Sequence, residues 1–258
     1  MKFDDEMFRR LEAMYAAPDV VGRRRAVMHA LAVRSGEKIL DVGSGPGLMA
    51  SELADAVGRT GAISAVDNSE SMITASRARC ADRPWLNFRV ADATALPFPD
   101  GTFDGAVSVQ VFEYVKDIAA ALSELYRVLR PGGRAVVVDT DWDAIVWNAS
   151  DRVLMQRILR AWDEHLFDPH LPRTLLRKLR AAGFMVRHRS VINMFNPDYD
   201  ENSISAGLIG LISGFVPGRQ GVSENDARLW ASDLRALGER GEYFFSLSQF
   251  LFLVSKPE

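Results

Sequence analysis

The feature that most limits the fold is a series of short apolar runs separated by stretches of helical periodicity. Lys38 to Val42, Ala62 to Asp67, Leu86 to Asp92, Phe103 to Val109 and Arg134 to Thr140 are each rich in Val, Ile, Ala or Phe. Each is bounded by Gly, Asp or Pro. Runs of this kind suit strands buried on both faces, and their spacing is that of βαβ units. They predict an α/β fold with a mostly parallel sheet and helices on both faces. At 258 residues such a chain buries roughly 75% of its unfolded surface, so a sizeable core is expected.

Val20, Val27, Met28 and Leu31 share one helical face ahead of the first strand, and Arg24 falls on that same face, where a charge needs a partner. Ala119 to Leu129 reads as an amphipathic helix stopped by Arg130-Pro131-Gly132-Gly133. Beyond Thr140 the pattern loosens. Asp151 to Phe167 reads as an extra helix, Leu171 to Ala182 as the expected one, and Met185 to Met194 as a sixth strand. Ser203 to Val216 is nearly apolar all round, Ser223 to Asp226 resembles a capping box, and Phe244 to Val254 is a final, seventh strand. No internal repeat is present, so residues 1–258 read as one domain. Its cofactor-binding core is expected over about 15–140, with helical, substrate-side lid insertions at 141–182 and 195–242.

The first strand leads directly into Gly43-Ser44-Gly45-Pro46-Gly47. Missing side chains at a strand-to-helix turn let the backbone bend sharply and approach a ligand. Such a turn serves NAD, FAD and other nucleotides alike. Asp67 ends the next strand, twenty residues past Gly47, where a carboxylate accepts both hydrogen bonds of a ribose diol. The glycines run G-x-G-x-G, and Leu48 occupies the position that would complete a dinucleotide fingerprint, which weighs against NAD. A third carboxylate, Asp92, ends the third run and opens the stretch Ala93 to Asp104.

That stretch, with Leu40 to Gly47 and Val128 to Gly133, resembles the class I S-adenosylmethionine (SAM)-dependent methyltransferases, closest to the small-molecule enzymes of ubiquinone and menaquinone biosynthesis. The resemblance covers about residues 15 to 140. It implies a seven-stranded Rossmann-like methyltransferase sheet and SAM as cofactor. It implies that Gly43, Ser44, Gly45 and Gly47 pass under the methionine end, with Asp41 near the ammonium group. Asp67, with Asn68 beside it, would hold the ribose, Asp92 would face the adenine amino group, and Ala93 would offer its amide to the ring. Met72 would pack on the adenine face or serve as a plain core residue, and Gln110 would lie near the transferred methyl. Tyr15 and Arg24 are candidates for the methionine carboxylate, against a structural ion pair or a snorkelling arginine. Asp104 reads as a strand-start turn residue.

The sulfonium methyl is already activated, so such an enzyme mainly aligns a nucleophile and excludes water. An amine or thiolate needs little more, whereas a phenol, hydroxyl or carbon acid gains from a base. His165, His170 and Asp168, with Asp141 and Asp143 beside Trp142, are the candidates for it. The alternatives are a histidine near a helix end and an Asp168-Pro169 turn. A metal is not expected from this spacing without cysteines. The glycines of the Ser203 to Val216 segment suit a lid over an apolar or aromatic small molecule, or a core or dimer-contact helix, so a homodimer stays open. A catalytically silent SAM-binding protein and an NAD-dependent oxidoreductase remain the alternatives.

A net charge of −3 does not favour a nucleic-acid partner, and the lone Cys80 permits no disulfide within the chain. The acidic start, Met1 to Glu6, differs from a signal peptide, and no apolar run reaches membrane-spanning length. A cytoplasmic protein without stable membrane insertion is expected.

Overall fold

The structure is a computed structural model that describes residues 14–258; the acidic start, Met1 to Glu6, lies outside them. In chain order the elements are α1 (Pro18–Leu31), β1 (Lys38–Val42), α2 (Leu48–Val57), β2 (Ala62–Asp67), α3 (Glu70–Arg79), β3 (Leu86–Val90), β4 (Phe103–Val109) and α4 (Ile118–Val128). There follow β5 (Leu129–Thr140), β6 (Val146–Trp147), α5 (Arg152–Asp163), α6 (Pro172–Ala181), β7 (Met185–Asn196), α7 (Ile204–Phe215), α8 (Glu224–Glu239) and β8 (Phe245–Ser255).

The strands form one eight-stranded sheet in the order β3-β2-β1-β4-β5-β8-β6, with β7 paired to β8. β1 runs parallel to β2 and β4, β2 to β3, and β4 to β5, while β8 is antiparallel to β5 and β6. Successive strand residues point to opposite faces. Ile39, Ile63, Val107, Val136 and Val138 therefore join Val27 and Leu31 of α1, Leu53 of α2 and Ile73 of α3 in one apolar cluster. Leu40, Val66, Ala106, Ala135 and Val137 meet Leu122 and Leu125 of α4 and Leu175 and Leu179 of α6 in another. Helices thus cover both faces, and that is why these strands lack a polar face in the sequence.

Local chemistry sets the helix ends. Ser69 caps α3 by accepting from the Met72 amide, Asp117 caps α4 by accepting from Ala120, and Ser223 with Asp226 forms the reciprocal capping box of α8.

The structure departs from the sequence reading at several points. β3 ends at Val90 because Asp92 turns its carboxylate onto the Thr94 amide and hydroxyl, at 2.8 and 2.7 Å. Arg130 to Gly133 does not separate helix from strand. Leu129 pairs with Phe103 and the next pair is Arg134 with Gly105, so the intervening residues bulge out of a strand already begun. The two-residue β6 makes eight strands where seven were expected.

The described chain divides into two compact units. The larger comprises residues 24–140, 170–192 and 249–258, and the smaller comprises 14–23, 141–169 and 193–248. The 172–181 helix, read as part of an insertion, belongs to the larger unit. The smaller unit has its own apolar cluster, built on Trp142, Trp147, Trp162 and Trp230 and on the buried residues of α5, α7 and α8. Within it the Trp147 indole donates to the Tyr243 hydroxyl at 3.0 Å.

Candidate functional site

The site assembles in the larger unit at the carboxyl ends of β1, β2 and β4, where parallel sheets present their loops. The Gly43 and Ser44 amides both donate to the Val66 carbonyl, at 2.8 and 3.0 Å, which folds the chain back over β2. Gly43, Gly45 and Gly47 all have left-handed φ, at 72°, 51° and 83°. A Cβ on Gly43 would lie 2.2 Å from Val111 Cγ2, whereas one on Gly45 would meet nothing within 4 Å. Gly43 is thus needed for packing, and Gly45 leaves its side of the loop open.

α3 grips the loop from behind. The Ser76 hydroxyl donates to the Gly45 carbonyl at 2.7 Å, the Arg79 guanidinium to the Pro46 carbonyl at 2.9 Å, and the buried Cys80 thiol approaches the Gly47 carbonyl at 3.9 Å. These three residues are spaced to share one side of the helix. Consecutive carbonyls are held inward, so the loop backbone is preorganised before any ligand arrives.

Two carboxylates meet at this loop. Asp67 accepts from the Gly45 amide through Oδ2 and from the Ser69 amide through Oδ1, both at 2.9 Å. Each oxygen keeps a further lone pair for a hydroxyl donor. Asp41, 2% exposed, has an Oδ2 with no hydrogen-bond partner among the described residues. Burial, and next the negative charge of Asp67, push its pKa up to about 7. The Ser44 hydroxyl is buried and equally without a partner among the described residues. Orphaned buried polar atoms are costly, so a carboxylate and a hydroxyl in this state fit a ligand that brings a cation and further polar groups.

Asp92 is exposed beyond β3 and held below the usual carboxylate range, first by the Thr94 hydroxyl and then by the Thr94 amide. Both bonds land on Oδ1 and leave Oδ2 for another donor. Ala93 follows, half-buried, and Asn68 is exposed after β2. Met72 is buried, yet it belongs to none of the three apolar clusters. The segment past Asp92 is clamped by α4. Arg127 donates to the Leu96 and Phe98 carbonyls and to Asp100, while Glu124 accepts from the Leu96 amide. Asp104 is a structural tie that accepts from the Lys38 amide and from Arg130.

Gln110, directly after β4, has φ 56°, a left-handed conformation rare outside glycine. Its amide donates to the Val138 carbonyl at 2.7 Å, and its side chain donates to Thr140 Oγ1 at 3.1 Å. Around it lies a buried polar cluster that the sequence did not reveal. Asp139 Oδ1 accepts from the Val111 and Glu113 amides, Glu113 accepts from the Thr140 amide, and Gln249 donates to Thr140 Oγ1. Glu113, Asp139, Thr140 and Gln249 are all fully buried. Backbone strain held in place by such a network is a mark of functional positions.

The remaining candidates are distributed differently. Arg23 and Arg24 of α1 are buried, Arg24 on the helical face it shares with Val20, Val27 and Leu31. Arg24 pairs with Glu52 of α2 at 2.7 Å. Tyr15 belongs to the smaller unit, half-buried against its apolar cluster. His165 stacks on Trp162 with centroids 3.7 Å apart and contacts Trp142 and Phe215 edge-on. Its Nδ1 bonds the Trp162 carbonyl, which only accepts, so Nδ1 carries the proton. Burial lowers the pKa of this imidazole to about 4. Asp141, buried, opens a 3₁₀ turn by accepting from the Asp143 amide, and His170 is half-buried in the loop before α6. Asp168 is likewise half-buried in that loop.

Residues 40–137 match a family described as a methyltransferase domain. A protein of transposon TN4556 from Streptomyces fradiae, described as an uncharacterized 37.1 kDa protein, is 36% identical over 177 residues, 66% of this chain and 50% of that one. The demethylmenaquinone methyltransferase of Beutenbergia cavernae is 41% identical over 117 residues, 45% of this chain and 46% of that enzyme. The chain thus spans about half the length of these curated relatives. Among solved structures, phosphoethanolamine N-methyltransferase 2 of Haemonchus contortus, in complex with S-adenosyl-L-methionine, matches 99% of this chain and 58% of that one. Its TM-score is 0.65 at 18% identity, a likeness of fold.

Proposed function

We propose, on the premise that residues 40–137 of this chain form a methyltransferase domain of the class I, SAM-dependent family, that the protein transfers a methyl group from SAM to a small apolar or aromatic acceptor. The observation that carries the reading is the pairing of Asp67, braced between the Gly45 and Ser69 amides, with the buried carboxylate of Asp41, whose Oδ2 has no hydrogen-bond partner among the described residues. One carboxylate suits a diol and the other a hydrogen-bonding ammonium, and SAM carries both, whereas a dinucleotide has no ammonium.

In this reading Gly43, Ser44, Gly45 and Gly47 cradle the methionine end, and Asp41 receives the ammonium. Asp67, with Asn68 at its side, holds the ribose hydroxyls. Asp92 and the Ala93 amide take the adenine edge, and Met72 its face. Arg24 is the candidate for the carboxylate, in addition to its pair with Glu52. When bound, SAM supplies a methyl on a sulfonium, already activated for displacement. The protein's own task is then alignment, and in this reading Gln110 orients the acceptor near the methyl, a role its bonds to Val138 and Thr140 support by fixing its conformation. A general base is needed only for a weakly acidic acceptor. Asp141 and His170 are the candidates, because His165, at about 4, is neutral and weakly basic at physiological pH.

The name of the Beutenbergia cavernae relative makes a quinol-type acceptor the first to test. No helix among the described residues is long and apolar enough to cross a membrane, and we propose a cytoplasmic location.

Two measurements test the function. Transfer of labelled methyl from SAM to a panel of quinols, phenols, amines and thiols should show turnover with an apolar aromatic member. Binding of S-adenosylhomocysteine by calorimetry should be lost in Asp67→Ala. Binding without any turnover would make the chain a silent SAM-binding protein, and stabilisation by NADH in place of SAM would overturn the cofactor.

A further inference from the structure

Residues 169–197 contain six Lys or Arg and two His, with no Asp or Glu, in a chain whose net charge is −3. The fold gathers most of this charge onto the larger unit. Arg173, Arg177 and Arg180 occupy exposed positions of α6 at i, i+4 and i+7, and Arg187, His188 and Arg189 are exposed on β7. Like charges at that helical spacing repel one another, so the arrangement costs stability unless something anionic meets it. Arg177, Lys178, Arg180 and Arg189 have no carboxylate partner among the described residues.

Between α6 and β7 lies an open groove of about 640 Å³, lined by Arg180, His188 and Arg189 and by Leu176, Val186 and Phe250. Protection of a sheet edge accounts for part of this. Among the described residues β7 pairs with β8 alone, and charges commonly guard such a strand. It does not account for the stripe on α6. Nor does it account for the exposed apolar side chains that interleave with the cations, Met185 at 39% and Val191 at 56% exposure. A nucleic-acid strand would gain from exposed aromatic platforms, but Phe184 and Phe252 are buried and Phe250, in the groove, is half-buried. Cations beside an exposed short apolar side chain, as Arg180, His188 and Arg189 stand beside Val191 in the groove, match the boundary of an anionic bilayer, where phosphates and acyl chains lie within a few ångströms of each other.

We propose that the α6/β7 face docks the protein peripherally on membranes rich in acidic phospholipid. Headgroup phosphates meet the arginines, and Val191 enters the headgroup boundary. The inference stands apart from methyl transfer and is tested without turnover.

The full chain should co-sediment with phosphatidylglycerol vesicles and not with phosphatidylcholine vesicles, and 0.5 M salt should release it. The triple variant R177Q/R180Q/R189Q, at exposed positions, should lower the vesicle partition coefficient on the order of a hundredfold, from about fivefold per basic residue at an anionic surface. Arg189→Gln alone gives the single-site version, and thermal melting checks that both variants fold. Val191→Ser should weaken vesicle binding further. Failure to bind phosphatidylglycerol vesicles, equal binding to both lipids, or undiminished binding by the folded triple variant overturns the proposal. Tighter binding to a single-stranded RNA oligonucleotide than to vesicles at the same salt, unchanged by Val191→Ser, replaces the membrane with nucleic acid.

Discussion

Replacing Gly43 and Gly45 separately by Ala separates what the loop needs for its own packing from what it offers a ligand. Both glycines have positive φ, so each alanine carries a conformational cost of about 1–2 kcal/mol. At Gly45 that is the whole cost, because the new Cβ meets nothing within 4 Å. At Gly43 the Cβ would sit 2.2 Å from Val111 Cγ2, 2.9 Å from Cγ1 and 3.1 Å from Cβ. Both branches of Val111 face the intruder, so no rotation of that stiff side chain clears it. The Val111 amide is also held by Asp139 at 3.2 Å. Overpacking of this kind adds about 1–3 kcal/mol, for a total of about 2–5 kcal/mol at Gly43. Urea unfolding should therefore place Gly43→Ala well below Gly45→Ala, which should lose only the conformational cost of about 1–2 kcal/mol. Calorimetry with S-adenosylhomocysteine should give the opposite order per unit of stability lost, with Gly45→Ala losing at least tenfold in affinity while remaining folded. Equal destabilisation by the two variants would refute the packing argument, and parental affinity in Gly45→Ala would refute the placement of ligand on the open side of the loop.

Asp41 holds its proton up to about pH 7 when folded, whereas an unfolded Asp releases it near 4, so the folded state binds more protons between those values. Stability should fall as pH rises from about 4 to 7 and level off above, and Asp41→Asn should remove the slope in urea titrations across that range. Since a cationic ligand requires the ionised carboxylate, S-adenosylhomocysteine affinity should climb toward pH 7 and then plateau, again flattened by Asp41→Asn. Gln110→Gly should leave the unfolding midpoint near the parent, because about 1 kcal/mol of relieved backbone strain offsets the lost bond to Thr140, yet lower turnover because the acceptor-side amide is gone. Any ionisation between pH 6 and 8 in kcat/KM should persist in His165→Gln, since that imidazole titrates near 4.

The strands were readable because burial on both faces erases polar alternation, so Lys38–Val42, Ala62–Asp67 and Phe103–Val109 begin and end where the apolar runs do. The loop glycines and Asp67 were readable because their spacing is local to one βαβ unit. What escaped notice depends on partners far apart in sequence. Nothing near Ser76 announces that it bonds a carbonyl 31 residues earlier, and Glu113, Asp139 and Gln249 look like ordinary polar residues until β4, β5 and β8 lie side by side. Arg130 to Gly133 carried a true turn signal, but the pairing of β4 with β5 absorbed it as a bulge. The burial of Arg24 was foreseen from its helical face, and its partner Glu52 was not.

The hold of Ser76, Arg79 and Cys80 on three successive loop carbonyls bears on how this scaffold can be re-engineered. A glycine loop transplanted from a relative would arrive without the helix side that aims its backbone, and a chimera cut between β1 and β2 would inherit a ligand cradle with no mount. Exchange of Ile39 through Cys80 as one cassette keeps cradle and mount together, so the natural unit of recombination here is about forty residues long, far larger than the five-residue loop that names it.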